Sequence, residues 1–568
     1  MLRQTIYTIL ANCQDCYRCV RVCPVKAIRI SGGQAQIDDD LCIRCGICIR
    51  ECPQGAKTVR SDLEEAKALV ESERLTVASV APSFAALYPG ALSNRLPSAL
   101  RQLGFDYVSE TAEGAKYVTD KSFDKPIAGS ICTACPAVVT LVEKHHPEHL
   151  SALIPVVSPM VAHGRMIKEK YQGAAVVFIG PCAAKKQEIQ RPENKGAIDV
   201  AITFHELEEW MESAGVHPEN CIDSGFNHFY EIGDARLFPI QGGMLKTGGV
   251  PDDATQADVI HLSGPDQVMG LFSGAYNFRG KLVEPLFCAG GCVGGPCIDS
   301  KSNQKPCIYT KRESVVRYAN NASKIDATMP KTNVQHGAVF QSIKRRDEEI
   351  PETKIHAILK STGKTDPSTH LNCGACGYPT CYESVVAIAK GMAEPEMCTS
   401  YMRRLASQRT DRIIDTTPNG VVLLDAELNM IKMNPAFQKM FMCNDGILGR
   451  RISYLVNAHG FEMLHSGEVE IYESVQTKYG IKYLEKLYAL REDNQYVGIY
   501  TNITDVKSEQ GQLDAIKVQT ITHAREFLDH QVKFAQEMAH FLGRSTAKSE
   551  EIAMSLIALY EEAAGDGS

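Results

Sequence analysis

Two cysteines in a glycine-rich stretch, Cys288 and Cys292, are the residues best suited to chemistry in this chain. Three residues separate them, and the surrounding glycines let the backbone come close to a bound group. Thiolates in this setting suit a buried metal cluster better than a disulfide. The alternative is a glycine-rich turn that holds two core cysteines.

Two further cysteine motifs, Cys132-Thr133-Ala134-Cys135-Pro136 and Pro181-Cys182, favour the cluster interpretation. Cys182 follows the apolar run 174–179, which is typical of a buried parallel strand. Ligands of open α/β sheets bind at the carboxyl ends of strands. We therefore expect several strand ends to converge on one crevice: Cys182, Cys288 after the run 282–287, and Ser158 after the run 154–157.

In this order, the motifs C-P, P-C-x-x-K-x-x-E and E-x-x-x-C-x-x-G-C resemble those of the iron-iron (FeFe) hydrogenases, over about residues 1–300. In that family four cysteines hold a 4Fe-4S subcluster, and one of them bridges to a diiron centre that carries CO, cyanide and a dithiolate. This active-site unit is called the H-cluster. The resemblance implies these ligands here, with Cys292 as the bridge: Cys135, Cys182, Cys288 and Cys292.

The same resemblance implies the residues around the diiron centre. Lys185 matches the family lysine that hydrogen-bonds a cyanide, which is reasonable because a point-charge donor suits a small anion, and Glu188 completes its motif. Ser158, followed by proline, resembles another wall of the pocket and joins Lys185 and Cys292 as a catalytic candidate. The loop that contacts the second cyanide is matched by Ala81, Pro82 and Ser83.

Four positions depart from the usual pattern of active members. A cysteine that passes protons to the diiron site is replaced by Ala134, and alanine carries no exchangeable side-chain proton. Two methionines are replaced by Gly180 and Leu286, and a glutamine by Met160, which alters the packing around the iron. The pattern resembles the sensory subclass of the family and predicts slow turnover of H2.

Near the N-terminus, two runs follow the spacing C-x2-C-x2-C-x3-C-P. This is the pattern of bacterial ferredoxins with two 4Fe-4S clusters, in which the last cysteine of each run binds the other cluster. Zinc is the alternative, although zinc sites seldom need eight thiolates in this arrangement. The predicted cluster ligands are Cys13, Cys16, Cys19, Cys23, Cys42, Cys45, Cys48 and Cys52.

A fourth 4Fe-4S site is predicted by the spacing C-x2-C-x4-C-x16-C, which resembles a small domain of anaerobic redox and corrinoid proteins. Structural zinc remains the alternative for four closed thiolates. The predicted ligands are Cys373, Cys376, Cys381 and Cys398. Inert buried thiols are expected at the unassigned cysteines, Cys132, Cys221, Cys297, Cys307 and Cys443.

The C-terminal third changes character, because cysteines nearly stop after Arg412. Residues 420–434 and 496–505 resemble the opening and the last strand of a PAS sensor domain, with no readable ligand; His459 and His465 are candidate haem ligands or ordinary histidines. From 510 to 560 an apolar stripe recurs every seven residues. A second copy of the chain, as a homodimer, and the PAS domain are alternative partners for it.

At roughly 150 residues per domain, 568 residues predict about four domains of multidomain α+β and α/β class. The net charge of -8 argues against a nucleic-acid partner. No apolar run of about eighteen residues and no leader pattern is found, so we expect a cytoplasmic protein without a membrane anchor. Its 21 cysteines are expected to be reduced, as in an anaerobic redox protein.

The expected organisation is a two-cluster ferredoxin domain (1–60), a hydrogenase-like cluster domain (61–310), a bridging segment (311–364), a small 4Fe-4S domain (365–408), a PAS domain (409–506) and a helical output or dimerisation segment (507–568). Three functions compete. The first is an H2 sensor that signals to a downstream protein by contact. The second is a working hydrogenase that exchanges electrons between H2, protons and a ferredoxin-like partner, and the third is an iron-sulfur assembly protein without the diiron unit.

Overall fold

The computed structural model describes residues 3–504, except 124–129, 229, 252–257, 275–276, 278–279, 299–305, 322–331, 333, 346–348 and 492–493. These residues fall into two compact units, which divide after Glu394. Within the described ranges, no helix combines the length and apolar character needed to cross a membrane. The predicted helical segment 510–560 lies outside the described residues.

The first sixty residues form two small antiparallel ribbons and two short helices. Strand β1 pairs with β4, and β2 pairs with β3. Each helix begins after a residue in the left-handed conformation, Tyr17 before α1 and Gly46 before α2, so that each cysteine run turns tightly. The elements are β1 (Ile6–Thr8), α1 (Arg18–Val22), β2 (Ile28–Ser31), β3 (Gln34–Ile37), α2 (Ile47–Arg50) and β4 (Lys57–Val59).

Two parallel sheets form the centre of the first unit. The larger sheet has the strand order β6-β5-β8-β9 and the smaller one β10-β11-β7. All residues of β5 and β8 are buried, as expected for parallel strands covered on both faces. The strands are β5 (Thr76–Val80), β6 (Tyr107–Glu110), β7 (Ser130–Ile131), β8 (Ala175–Gly180), β9 (Val200–Thr203), β10 (Val259–Ser263) and β11 (Leu282–Leu286).

Helices follow the strands in most of this unit, which confirms the predicted α/β class. They are α3 (Leu63–Val70), α4 (Ala91–Gln102), α5 (Ala112–Phe123), α6 (Pro136–His145), α7 (Pro159–Lys170), α8 (Ala183–Glu188), α9 (Phe204–Ser213), α10 (Gly243–Thr247), α11 (Pro265–Leu271), α12 (Ile308–Asn321), α13 (Glu352–Ser361) and α14 (Cys381–Ala389). Short 3-10 turns at Pro82–Ala86 and Cys292–Gly294 also matter for the site.

Two expectations differ from the structure. The run 154–157 is not a strand, because only isolated bridges form there, between Leu153 and Ile131 and between Val156 and Gly337. Pro155 lacks the N–H that a ladder requires. The bridging segment predicted from 311 begins inside α12, whose Val315 is fully buried in the core of the cluster domain.

The second unit consists of a long helix and a five-stranded antiparallel sheet of order β13-β12-β16-β15-β14. Its core is aromatic and includes Phe437, Phe461, Tyr483 and Tyr500. The elements are α15 (Thr399–Thr416), β12 (Gly420–Leu424), β13 (Met430–Met433), α16 (Pro435–Phe441), α17 (His459–Ser466), β14 (Ile471–Lys478), β15 (Ile481–Leu490) and β16 (Gln495–Asn502).

Candidate functional site

The cysteines of the N-terminal domain gather in two groups that mix the two sequence runs. One group lines a cavity of about 360 Å³ and consists of Cys13, Cys16, Cys19 and Cys52. In the other, burial first and then neighbouring cysteines raise the pKa of the Cys48 thiol, and these neighbours are Cys45, Cys42 and Cys23. Each group thus takes three cysteines from one run and one from the other.

Backbone N–H groups support the thiols of these groups. Ala27 N donates to Cys23 Sγ at 3.2 Å, Arg44 N to Cys42 Sγ at 3.3 Å, and Ala56 N to Cys52 Sγ at 3.3 Å. Hydrogen bonds of this kind stabilise thiolates that bind a cluster and tune its potential. The arrangement fits two 4Fe-4S clusters held by four thiolates each.

A cavity of about 880 Å³ lies at the carboxyl ends of strands from both parallel sheets. Pro82 and Ser83 follow β5, Thr111 follows β6, Cys182 follows β8, and Cys288 follows β11. Cys135 precedes α6, and Cys292 opens a 3-10 turn. All four cysteines that the hydrogenase resemblance implies therefore line one cavity, where ligands of such sheets bind.

The four cavity thiols lie close enough to influence one another electrostatically. The pKa of Cys182 is raised to about 11, chiefly by burial and then by Cys135, while Lys185 opposes the shift. Burial likewise raises the pKa of Cys288, followed by the effects of Cys182 and Cys292. Because a cluster ligand must be deprotonated, metal binding here displaces protons from these thiols.

A left-handed backbone makes room for the Cys292 turn. Gly291 has a φ of 93°, and a Cβ atom there would lie 2.3 Å from the carbonyl oxygen of Pro239. A side chain at this position cannot be accommodated without moving the backbone. The glycine of the cysteine motif therefore sets where Cys292 points.

Two polar groups on the cavity wall are suited to small anionic ligands. The buried hydroxyl of Ser83 has no hydrogen-bond partner among the described residues. Lys185 Nζ donates to Glu188 Oε2 at 2.7 Å, which uses one of its three donors. The free hydroxyl, the lysine and the four thiols fit a 4Fe-4S subcluster with an attached diiron unit that carries cyanide.

Ser158 and Glu188 do not line this cavity. They lie on a second cavity of about 360 Å³, which is also lined by Pro136 and Arg191. Glu188 reaches the main cavity only through its hydrogen bond to Lys185. Pro159 and Met160, directly after Ser158, do contribute to the main cavity wall.

Three of the four residues that replace the usual family side chains line the main cavity, as predicted. They are Ala134, Met160 and Leu286. Gly180 is not among the lining residues, although a Cβ atom there would lie 3.2 Å from that of Ala81. The wall next to Cys135 therefore presents a methyl group where the resemblance implies a proton-carrying thiol.

Cysteines link the main cavity to the N-terminal domain. Cys45 lines the cavity together with Cys135 and Cys182. Cys45 also belongs to the group that contains Cys23. The cysteine group that contains Cys23 and Cys45 therefore lies next to the main cavity. A cluster that exchanges electrons with the cavity would have to occupy such a position.

The loop that carries Cys373, Cys376 and Cys381 contacts the same domain. Arg21 Nη1 donates to Ala375 O at 3.2 Å. Cys376 and Cys23 both act on the pKa of Tyr378, which burial raises to about 12. Cys398, the predicted fourth ligand, is the N-cap residue of α15 and belongs to the second unit.

A buried polar network beside the cavity was not predicted from the sequence. It comprises Ser79, Ser109, Glu113 and His163, and all four residues are inaccessible to solvent. The only sequence sign was the presence of polar residues in segments whose neighbours are apolar, such as Ser79 within β5.

The sheet of the second unit carries an unusual buried carboxyl group. Glu485 is 1% exposed and pairs across the strands with Tyr500. Burial raises the pKa of Glu485 to about 7, and a hydrogen bond from Gln476 partly opposes the shift. His465 Nδ1 lies 3.0 Å from Tyr496 OH, and His459 opens α17, so the two histidines have separate surroundings.

Together, the cysteine groups and the cavity define a multi-cluster iron-sulfur protein of hydrogenase-like architecture. Residues 74–296 match the family model of the iron only hydrogenase large subunit, C-terminal domain. Residues 12–56 match the 4Fe-4S dicluster domain, 370–400 an Fe-S cluster family, and 408–476 the PAS domain. The chain thus carries a domain of the iron-only hydrogenase family, joined to a dicluster domain and a PAS domain, as predicted.

Curated relatives include two kinds of protein. The NADP-reducing hydrogenase subunit HndD of Solidesulfovibrio fructosivorans is 24% identical over 55% of this chain and 67% of its own length. Iron hydrogenase 1 of Clostridium pasteurianum is 25% identical over 54% of this chain and 67% of its length. The cytosolic Fe-S cluster assembly factor NAR1 of Vanderwaltozyma polyspora is 40% identical, over only 14% of this chain and 15% of that protein.

The chain spans about two thirds of the length of the hydrogenase relatives. Among solved structures, [FeFe]-hydrogenase HydA1 from Chlamydomonas reinhardtii covers 50% of this chain at 16% identity, with a TM-score of 0.38 and its whole length aligned. The PAS domain of an HTR-like protein from Haloarcula marismortui covers 18% of this chain and 99% of its own, at 18% identity and a TM-score of 0.16.

Proposed function

We propose that this protein is an H2 sensor: a hydrogenase-like site that binds or slowly turns over H2 and passes its redox state through iron-sulfur clusters to the PAS domain. The observation that carries the proposal is the identity of the residue that lines the cavity next to Cys135. Four cysteines, Lys185 and Ser83 surround a cavity fitted to an H-cluster, yet Ala134 stands where a proton-carrying thiol is implied. A sensor tolerates slow turnover, because its signal is occupancy or redox state.

When bound, the diiron unit would supply the cleavage and formation of H2. Around it, Cys135, Cys182, Cys288 and Cys292 would hold the iron, with Cys292 as the bridge. Lys185, held in place by Glu188, and the Ser83 hydroxyl would donate hydrogen bonds to the cyanide ligands. Apolar residues such as Met160 and Phe287 exclude water from the cavity, which strengthens these hydrogen bonds.

The cysteine groups support an electron path with two branches. We propose that the cluster held by Cys23 and its three partners receives electrons from the hydrogenase site through Cys45 and passes them to the other N-terminal cluster. The same cluster faces the loop of Cys376, which leads towards the PAS domain in the sequence. A ferredoxin-like electron partner and a downstream signalling protein complete this scheme.

The two kinds of relative favour two other functions. The HndD and Clostridium relatives support a working hydrogenase, and the NAR1 relatives support an assembly factor. Lys185, Glu188 and Cys292 favour a loaded diiron site, because an assembly factor has less use for a cyanide-binding lysine and a bridging thiolate.

Infrared spectroscopy of anaerobically matured protein tests the site. We expect CO and cyanide bands in the wild type and their loss in Cys292→Ser. Cys297→Ser is the matched control, because Cys297 is a buried thiol that is not a predicted ligand. A wild type that contains its 4Fe-4S clusters but lacks these bands would support the assembly function instead.

The sensor function has a separate test. Reduction changes the charge in a low-dielectric site, and it can act on the PAS domain only if the two states pack differently. We expect hydrogen exchange of β14–β16 and of residues 510–560 to differ between H2 and argon at matched solution potential. Identical protection under both gases would contradict the sensor function and would favour a hydrogenase to which the PAS domain is merely attached.

A further inference from the structure

A series of polar side chains leads from the main cavity towards the surface, and its members are hydrogen-bonded to one another from Thr111 to Glu113. Thr111 lines the cavity, and its Oγ1 lies 2.8 Å from Ser79 Oγ. Ser79 Oγ lies 2.7 Å from His163 Nδ1, and Ser109 Oγ lies 3.1 Å from His163 Nε2 on the other side of the ring. The imidazole of His163 thus connects two hydroxyl groups.

The series continues to a partly exposed residue. Ser109 Oγ donates to Glu113 Oε1 at 3.3 Å. His228 Nδ1 lies 3.4 Å from the same oxygen, within ion-pair distance but without the geometry of a hydrogen bond. The side chain of His228 is 17% exposed, whereas those of Glu113 and His163 are not exposed at all. The neighbouring Glu110 is held by two nitrogens of Arg236 and by Tyr318 OH, and it lies 3.9 Å from His228 Nε2. Glu113 is closer to His228 and also bonds Ser109, so it is the carboxylate that joins the series.

We propose that Thr111, Ser79, His163, Ser109, Glu113 and His228 form a proton relay between the cavity and the surface. The inference rests on the proposed function, because it assumes that the redox state of the cavity site changes. Every member can both accept and release a proton or can hold one. The relay would serve a site whose wall at Ala134 carries no proton donor.

The steps balance for a single proton. His228 takes a proton from water, and a small rotation of its side chain lets Nδ1 donate that proton to Glu113. Glu113 passes it through the Ser109 hydroxyl to His163 Nε2. At the same time His163 Nδ1 releases its own proton through Ser79 to Thr111 and into the cavity. One proton enters, one leaves, and the ring is left in its other tautomer.

The chemistry of the ring favours reversible uptake over continuous flow. Burial first, and the nearby His228 second, lower the pKa of His163 to about 3, so the imidazole stays neutral and works by exchanging tautomers. A second proton in the same direction requires the ring to flip, and the ring is fully buried and bonded on both sides. When the first proton returns along the same path, the His163 ring goes back to its original tautomer. A site that alternates between an oxidised and a reduced state needs only one proton taken up on reduction and released on oxidation.

The test measures proton uptake directly and not H2 production. Wild type and Thr111→Val are reduced rapidly by a photoreductant, and uptake is followed with a pH-indicator dye. The substitution keeps the shape of the side chain and removes the hydroxyl at the cavity end of the relay. The matched control is Thr119→Val. Thr119 is a buried threonine of α5, the helix that follows Thr111, and among the described residues its hydroxyl donates to the Ala115 carbonyl and takes no part in the relay.

We expect uptake to slow by at least about tenfold in Thr111→Val and to stay unchanged in Thr119→Val. In matured protein, the infrared bands should reach the same final positions in all three, because a relay changes rates and not equilibria. His163→Gln should reproduce the slowing. Equal uptake rates in wild type and Thr111→Val would overturn the relay.

The outcome for the relay can be separated from that for the diiron site. Missing CO and cyanide bands would contradict the proposed function only. The dye measurement is then made on protein with its 4Fe-4S clusters alone, where reduction still adds charge beside the cavity and the same slowing is expected. Equal rates in that protein would overturn the relay as well.

Discussion

Lys26 of the N-terminal domain donates a hydrogen bond of 2.7 Å to the carbonyl oxygen of Gly377, in the loop between Cys376 and Cys381. Lys26 also donates to the carbonyl of Val20 at 3.1 Å, beside Cys19 and Cys23. One side chain thus ties the loop of the predicted fourth cluster to α1, which carries Cys19 and is followed by Cys23. The distance between the two sites is fixed by this contact, which an electron path through both requires.

Gly377→Ala is expected to disturb this contact. Gly377 has a φ of 93°, and a Cβ atom there would lie 2.8 Å from Val20 Cγ1 and 3.1 Å from Arg21 N. We expect anaerobically purified protein to lose four irons of the about eighteen that four 4Fe-4S clusters and a diiron unit contain. Iron analysis and electron paramagnetic resonance measure the loss.

Gly391→Ala is the control for backbone strain alone. Gly391 has a similar φ of 68°, but no atom lies within 4 Å of the added Cβ. Full iron content in both variants would show that the contact is not needed for the cluster. Zinc in place of the four irons in wild type would contradict the cluster assignment itself.

The cysteine sets and the main strands could be predicted from the sequence, because each is determined by the spacing or the hydrophobicity of residues that are close together in the chain. The run 174–179 corresponds to β8, and the segment 420–434 of the PAS resemblance corresponds to β12 and β13 and ends at the N-cap of α16. The run 154–157 misled because hydrophobicity alone does not report the missing N–H of Pro155. The hydrogenase resemblance implied that Ser158 forms a wall of the main cavity, whereas it lines the second one.

The relay could not be predicted, because its members are far apart in the chain. Ser79 and His163 are 84 positions apart and meet only when α7 packs beside β5. No spacing rule relates residues whose contact depends on how a helix packs on a sheet. The same holds for the pairing of Glu110 with Arg236.

A buried ion pair joins the connector after the N-terminal domain to the cluster domain. Lys186 Nζ lies 2.9 Å from Asp62 Oδ2 and 2.8 Å from Glu206 Oε2, and the Lys186 side chain is 1% exposed. Removing one partner of such a pair leaves buried charge, which costs about 3–5 kcal/mol. We expect Lys186→Met to reduce the hydrogen-exchange protection of α3 and α8 strongly.

Lys67→Met is the matched control for that change. Lys67 pairs with Glu64 on the exposed side of α3, and surface pairs of this kind contribute about 0–1 kcal/mol. The hydrogen-exchange protection of α3 and α8 in Lys67→Met should stay close to that of wild type. Similar protection in Lys186→Met would mean that Arg60 and Thr203 alone satisfy the two carboxylates.

Glu485 makes the stability of the PAS domain depend on pH. Its pKa is about 7 in the folded state against an ordinary value of 4.5, because burial disfavours the charged form. The folded state therefore binds the proton more tightly, and the resulting stability is complete below about pH 4.5 and is lost as pH rises through about 7. Tyr483 and Tyr500 face the same carboxyl group.

We expect exchange protection of β15 and β16 in the full chain to fall between about pH 4.5 and 7 and to level off above that range, after correction for the intrinsic exchange rate. Glu485→Gln should remove this dependence, because the amide cannot ionise. Glu468→Gln, at an exposed position of the same domain, should leave it unchanged. A dependence that persists in Glu485→Gln would assign it to another group.

Ala134→Cys tests whether the missing thiol limits turnover. Proton transfer by a positioned side chain is worth about 10²–10⁴ in rate, but Met160 and Leu286 also differ from the usual pattern, so we expect a gain of about tenfold in H2 evolution. The infrared bands should be unchanged, because Ala134 lines the cavity without being a predicted ligand. Ala115→Cys places a thiol on another part of the same wall and should give no gain. If wild type already evolves H2 as fast as catalytic hydrogenases, the wall at Ala134 does not limit proton supply, and the working-enzyme function replaces the sensor.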